Sequence, residues 1–396
     1  MTLPLDGVRI IAIEQYGAGP FGTQHLADLG AEVIKIENPA EGGDVGRLVG
    51  PHFFEPGDSH FFQSFNRNKK SMTLDLKSPE GMEILRELAA QSDAVFNNLR
   101  GDLPERLGLT YAALKDVNPA IVCTHLSAYG RTGPRKAWPG YDYLAQAEAG
   151  YLSLTGEPDG PPARFGISII DMMTGTMAAL ATVSAILGAR ATGQGRDVDT
   201  NLFEVALHNL TYLGTWYLND GVETDRKPRS SHPSLTPSQL YRTGDGWIFI
   251  MCNKEKFWGV LANAIGKPEW ADDPRYHNFA ARLENRDTLT EELDAVLSTR
   301  STAEWMEALG GKVPASPVYD VAQALDNPYV RGQEFIVDVP HPVRGTIQTL
   351  ACPIRCPGET LPARPAPRLG AHTEEVLRRI RDDDEWIGEL SKRRIV

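Results

Sequence analysis

Apolar and polar positions fall into alternating blocks along the first hundred residues. "VRIIAIEQ" (8–15) and "AEVIKIE" (31–37) are short β-branched runs that read as buried strands. Between them "PFGTQHLADLG" (20–30) has helical spacing, with Pro20 early and Gly30 as the stop signal. The pattern recurs as a strand over 71–77, a helix over 78–92 opened by Ser-Pro, and strands over 93–99 and 120–130. Strands separated by helices predict βαβ units, a parallel sheet and a Rossmann-like, doubly wound α/β domain.

Beyond residue 130 the pattern changes. Two long helices are predicted, 171–190 and 200–220, joined by "ATGQGRDVD". The polar, Pro-bearing stretch 221–239 reads as a linker, and "LYRTGDGWIFIMC" as two strands around an Asp-Gly turn. Helical segments follow to about residue 310, predicting a smaller α+β unit. The Pro-rich segment 357–370 reads as extended chain leading to a terminal amphipathic helix. The predicted organisation is a large domain over 1–220, completed by 331–396, and a small α+β domain over 221–330 with flanking linkers.

Composition narrows the function classes. The 396 residues are 41% apolar and 23% charged, the balance of a soluble globular protein. A formal net charge of −12 argues against nucleic acid or an anionic membrane as partner, and any polyanionic ligand needs a local basic pocket. The cluster "RNKK" (67–70) reads as a solvated loop. The N-terminus lacks the features of a signal peptide, and four cysteines form no disulfide framework, so a cytoplasmic location is expected. Cys352 and Cys356 lack a second ligand pair, the histidines show no ligand pattern and no G-x-S-x-G elbow occurs, so neither metalloenzyme nor serine hydrolase is supported. The charge-free run Met172–Ala189 is long enough to span a membrane. Its threonines, Ser184, Gly175 and Gly188, and the lack of a second such run, favour a buried core helix instead.

Four places can carry chemistry. "GAGPFG" (17–22) lies between strand and helix, and Glu37 ends the next strand about 20 residues on, the outline of a dinucleotide fingerprint. Pro20 removes one N–H from that turn, which is either ligand-free or faces a pyrophosphate-bearing ligand. Lys77, Asn98 and Arg106 lie on or just past strand ends, where open sheets bind ligands. Asp171 opens the apolar helix. It is either an N-cap worth roughly 1 kcal/mol or a nucleophile, which a carboxylate becomes only against an activated target in a dry site. In the second case the helix N-terminus is expected to keep it ionised. Tyr141 and Asp142 follow a Gly at a loop-to-helix junction.

These motifs, taken in order, give the chain its resemblance to a known family. "LDGVRIIAIEQYGAGPFGTQHLADLGAEVIKIENP", "GGDVGR", "FFQSFNRNKKSMTLDLKSPEG", "GRTGPRKAWPGYDYLAQAEAG", the Asp of "SIIDMMTG", "TGQGRDVD" and "PRLGAHTEEVL" together resemble the family III CoA-transferases. That group includes formyl-CoA:oxalate and carnitine CoA-transferases and the α-methylacyl-CoA racemases. The resemblance implies a CoA-binding Rossmann-like domain, an interlocked ring-shaped homodimer, and acyl-CoA and a small carboxylic acid as substrates without a prosthetic group. It places Asp171 as the nucleophile that forms an aspartyl-CoA thioester, with Asp142 as a second catalytic acid. It further implies CoA contacts at Ala18, Leu74, Lys77, Asn98, Arg106 and Leu107, and acid binding at Gly17, Tyr141 and His232. A histidine precedes the acid in racemases, whereas Tyr141 stands here, so CoA transfer is favoured over epimerisation. Gly17 replaces a glutamine that binds oxalate in formyl-CoA transferases, "SSHPSLTPSQ" replaces their glycine-rich flap, and Asn38 and Pro139 replace basic residues. Oxalate is thus not the expected acceptor. A non-catalytic CoA-binding paralogue is the remaining alternative.

Overall fold

The computed structural model describes residues 3–396. Six short runs form one parallel sheet: β1 (Arg9–Ile13), β2 (Glu32–Glu37), β3 (Lys70–Thr73), β4 (Ala94–Asn97), β5 (Val122–Ser127) and β6 (Arg196–Asn201). Their spatial order is β3-β2-β1-β4-β5-β6. This is the order of open dinucleotide-binding sheets, which reverses at β1 and opens a crevice at the carboxyl ends of β1 and β4. The strands are near-continuous apolar runs because the sheet is covered on both faces; Ile10, Ile11 and Ala12 of β1 and Val95 and Phe96 of β4 are fully buried.

The connecting helices follow the predicted signals. Helix α1 (Ala18–Asp28) leaves β1 through the glycine-rich turn, and α2 (His60–Asn66) is capped by Ser59, whose Oγ accepts the Phe62 N–H at 2.9 Å. Helix α3 (Pro79–Ala90) has Ser78 as its cap and Pro79 at the first helical position. Helix α4 spans Asp142–Glu148 and α5 spans Ile169–Thr192. Long and apolar enough to cross a membrane, α5 buries Ile170, Thr174, Ala178, Thr182 and Ile186, and Thr182 bonds Thr124 of β5 at 2.8 Å.

The region after residue 190 differs from expectation, and the single terminal helix expected is two, Thr373–Arg378 and Asp384–Lys392. The joining stretch "ATGQGRDVD" runs into a strand, β6 (Arg196–Asn201), and the predicted helix over 200–220 is two helices, Leu202–His208 and Thr211–Asp220. A strand carrying Arg196, Asp197 and Asp199 on a sheet edge lacks the apolar signature, and only pairing with β5 makes it a strand. Asn201 then ends it by accepting the Glu204 N–H at 2.8 Å.

Contacts divide the chain into two compact units. The first comprises the segments up to Ala149, Phe165–Thr211 and Gly332–Val396; the second comprises Gly150–Arg164 and Tyr212–Arg331. In the first, the returning C-terminal segment completes the core, with Val376, Leu377, Leu390 and Ile395 packed among Ile34, Met72 and Leu85. In the second, strands Ser238–Arg242, Trp247–Met251 and Ala315–Pro317 form an antiparallel sheet around the expected Asp245-Gly246 turn. Helices to Leu309 cover a core of Trp258, Tyr276, Leu293 and Trp305.

Beneath the strand ends of the first unit lies a buried ionic network. Lys35 contacts Asp44 at 2.8 Å, Lys69 contacts Glu14 at 2.7 Å, and Arg47 holds Glu37 through two bonds of 2.6 and 2.8 Å. Three cations balance three carboxylates, which is the condition for burying such charges. The "RNKK" cluster, expected as a solvated loop, belongs here instead: Lys69 is 4% exposed, and Arg67 is buried against Asp28 at 2.6 Å. Buried acids upstream, invisible as partners in the sequence, draw these cations inward.

The Arg47–Glu37 pair yields a stability prediction. Arg47→Met leaves the Glu37 carboxylate buried and unpaired and should destabilise by about 3–5 kcal/mol in chemical denaturation. An unchanged midpoint would mean that this network contributes nothing to the fold.

Candidate active site

Helix α5 begins after Ser168, whose side chain makes no capping bond. Its first turn is satisfied from another helix. Asp142, the first residue of α4, accepts the Asp171 N–H through Oδ2 at 2.8 Å and the Gln146 Nε2–H through Oδ1 at 2.5 Å. Asp171 is therefore not the N-cap that its sequence position suggested; it is the third helical residue, and Asp142 performs a capping function across space. Asp171 is 7% exposed. No hydrogen bond or ion pair engages its carboxylate among the described residues.

Glycine places this carboxylate at the crevice. A Cβ on Gly17 would lie 2.6 Å from Asp171 Oδ2. The same close approach continues along α1 and α5, where a Cβ on Gly22 would lie 2.4 Å from the Gly175 carbonyl oxygen. Gly17 follows β1, at the point where the strand order reverses.

Burial first, and then the nearby charge of Asp142, push the Asp171 carboxyl up to about 7. The expectation that the helix N-terminus keeps it ionised is thus corrected. A helix terminus contributes about 0.3–2 kcal/mol, whereas a rise of about three units corresponds to roughly 4 kcal/mol. Desolvation wins.

An aromatic group faces the same place. The Tyr16 ring lies 5.1 Å from Phe61 and 6.1 Å from Tyr141, and all three are partly or largely exposed. The Tyr16 hydroxyl is pushed upward by burial and by Asp171. Tyr16 has a left-handed backbone (φ +68°). Its N–H donates to Asp44 Oδ1 at 2.9 Å. Asn98 clamps Gln15 on the other side, accepting its N–H at 2.9 Å and donating to its carbonyl at 2.7 Å.

The remaining sequence candidates divide by accessibility. Lys77 and Arg106, past the ends of β3 and β4, are exposed and paired at the surface with Glu41 (3.0 Å) and Asp102 (3.3 Å). Such surface pairs exchange readily for a ligand anion. Leu74 and Ala18 have buried side chains, and Leu107 packs against the core, so they offer a ligand mainly backbone. Glu37 cannot serve as a ribose-binding acid, because its carboxylate is 3% exposed and taken by Arg47 and Ser71. His232 lies in the second unit, where its Nδ1 accepts the N–H groups of Ser234 (3.1 Å) and Leu235 (3.2 Å). Sequence reasoning missed Tyr16 and Asp44. The only local hint was Asp44 two residues before Gly46, whose N–H it accepts at 2.8 Å.

Comparison with known proteins agrees over nearly the full length. The family model described as CoA-transferase family III matches residues 5–373. Succinyl-CoA:glutarate CoA-transferase of Mus musculus is 34% identical, covering 96% of this chain and 87% of its own. Succinate–glutarate CoA-transferase of Agrobacterium fabrum is 33% identical, covering 94% and 95%. The crystal structure of a CAIB/BAIF family protein from Brucella suis superposes with a TM-score of 0.83 at 32% identity, covering 96% of this chain and 100% of that one.

The raised Asp171 carboxyl carries a stability cost with a defined pH dependence. Between the unfolded value near 4 and about 7 the folded state holds a proton that the unfolded state has released, so stability falls as pH rises through that window. Asp171→Asn should therefore be the more stable protein above pH 7, by roughly 2–4 kcal/mol, with the gain vanishing below pH 4. Thermal melts across pH test this; equal melting temperatures at pH 8 would contradict the buried, strained carboxylate.

Proposed function

Because the chain belongs to CoA-transferase family III, we propose that it moves CoA from an acyl-CoA donor to a carboxylic acid acceptor, with Asp171 as covalent nucleophile. The observation that carries this reading is a carboxylate buried at the sheet's switch point, close against Gly17 and without a hydrogen bond or ion pair among the described residues. A buried acid without a structural partner costs stability, and a nucleophile needs that freedom.

The steps balance as two exchanges. Ionised Asp171 attacks the thioester carbonyl, forming a mixed anhydride and expelling CoA thiolate. The thiolate attacks the aspartyl carbonyl, releasing the donor acid and leaving an aspartyl-CoA thioester. The acceptor carboxylate attacks that thioester, giving a second anhydride and thiolate. Thiolate attack on the acceptor's carbonyl then forms the new acyl-CoA and restores Asp171. Desolvation makes the carboxylate more basic and more reactive. Asp142 holds the Asp171 backbone, a positioning role, since both its oxygens accept hydrogen bonds.

Lys77, Arg106 and Asn98 stand along the strand ends where the anionic part of CoA would lie, with Ala18, Leu74 and Leu107 supplying backbone. Gly17 borders the Asp171 carboxylate, and Tyr141 meets the Tyr16 ring at 6.1 Å. The mouse and Agrobacterium relatives are named for succinyl-CoA, succinate and glutarate, which supports a short dicarboxylate among the substrates. Transfer is favoured over epimerisation, since Tyr141 stands where racemases carry a histidine and Asp142 accepts the Asp171 N–H. A homodimer, interlocked or otherwise, is supported by exposed Met177, Leu180 and Leu187 on α5.

Two results are expected. Asp171→Ala should abolish isotope exchange between an acyl-CoA and its own labelled acid, and wild-type protein incubated with acyl-CoA should show a CoA adduct on the Asp171 peptide. Persistent exchange in the variant would exclude the mechanism. Exchange kcat/KM should also fall about tenfold per pH unit below about pH 7, where the free-enzyme carboxyl takes up its proton. A profile flat down to pH 5 would mean that Asp171 titrates as an ordinary aspartate or does not act.

A further inference from the structure

We infer that Tyr16 is a specificity-determining residue: its left-handed backbone, held by Asp44 and the Asn98 clamp on Gln15, sets an aromatic wall beside Asp171 that limits the size of the acyl group reaching it. The inference rests on the transferase reading and goes beyond it, because it assigns selection to a residue outside the nucleophile and the CoA contacts.

The starting point is an energetic anomaly. A φ of +68° is disfavoured for a bulky aromatic residue, and such strain persists only where surrounding structure over-determines it. Here it is over-determined on both sides. The Tyr16 N–H is taken by Asp44 at 2.9 Å, and Gln15 is fixed at its N–H and carbonyl by Asn98. Asp44 is itself held at several atoms. It is 3% exposed, lies 2.8 Å from Lys35, accepts the Gly46 N–H at 2.8 Å and donates its own N–H to Glu37 at 2.9 Å. The whole buried ionic network thus bears on one peptide unit.

Packing alone does not account for the strain. The Tyr16 ring is 36% exposed and its neighbour Tyr141 is 62% exposed, so the rings meet at a surface and not in a core. Phe61 of α2 backs the Tyr16 ring at 5.1 Å. The next residue, Gly17, has no side chain and abuts the Asp171 carboxylate. The turn therefore sets a large ring and an absent one side by side at the nucleophile. A negative φ at Tyr16 would turn its Cβ to the other side of the chain and take the ring out of that wall.

The test uses the full-length enzyme and identity exchange of acetyl-CoA, succinyl-CoA and benzoyl-CoA, each with its own isotopically labelled acid, read by mass spectrometry. Tyr16→Ala should raise the benzoyl-to-acetyl ratio of kcat/KM by at least about tenfold. Tyr16→Phe, which keeps the ring, should retain the wild-type ratio. Tyr16→Gly, which relaxes the turn, should melt above Tyr16→Ala. A ratio unchanged in Tyr16→Ala while the wild type exchanges overturns the specificity role alone, as does Tyr16→Gly melting at or below Tyr16→Ala for the strain behind it. A wild-type enzyme that exchanges none of the three overturns the transferase reading, and this inference with it.

Discussion

Two helix backbones in near contact are the constraint on which the site depends. Helix α5 reaches α1 so closely that a Cβ on Gly175 would lie 2.3 Å from the Ala18 carbonyl oxygen, and one on Gly22 would lie 2.4 Å from that of Gly175. Glycines on both partners remove the side-chain layer that ordinarily keeps helix axes 8–10 Å apart. The first turn of α5, with Asp171, is thereby carried against the turn that follows β1. The buried carboxylate belongs to one helix and the crevice to another element, and their contact makes them one site.

A second constraint acts from below. The carboxyl ends of β1 and β2 are underlain by buried ions: Glu14, Lys35, Glu37, Asp44, Arg47 and Lys69. A network of equal and opposite charges contributes little net stability compared with an apolar core, but it fixes geometry, since each member makes two or more bonds. That rigidity supports the left-handed turn at Tyr16. The same low dielectric that strengthens these bonds raises the Asp171 carboxyl, which among the described residues has no ion pair and faces the charge of Asp142. Paired and unpaired buried carboxylates in one unit thus titrate in opposite directions, Glu37 downward beside Arg47 and Asp171 upward by desolvation.

Much of the fold was legible because the first strands are covered on both faces and written in consecutive β-branched residues, while Ser78, Pro79 and Gly30 mark helix ends locally. β6 was not legible. Its side chains are those of an exposed edge, and its pairing with β5 is the sole reason it is extended. The "RNKK" cluster failed for a related reason. A cation's burial is decided by an acid distant in sequence, as with Arg67 and Asp28 or Lys69 and Glu14. Asp142 was recognised as a residue of interest, but its action on the Asp171 N–H is a contact between helices that no spacing encodes.

By itself the sequence determined the parallel α/β architecture, the glycine-rich turn after β1, and the presence of one carboxylate in an apolar helix. Periodicity, capping and turn chemistry are local, and local interactions are readable along the chain. Only the tertiary structure decided what that carboxylate is. Whether Asp171 caps a helix or stands free depends on Asp142 arriving from α4, on Gly17 leaving room beside it, and on how completely water is excluded. All three arise from elements brought together by folding, and desolvation, the largest of them in energy, has no expression in sequence spacing.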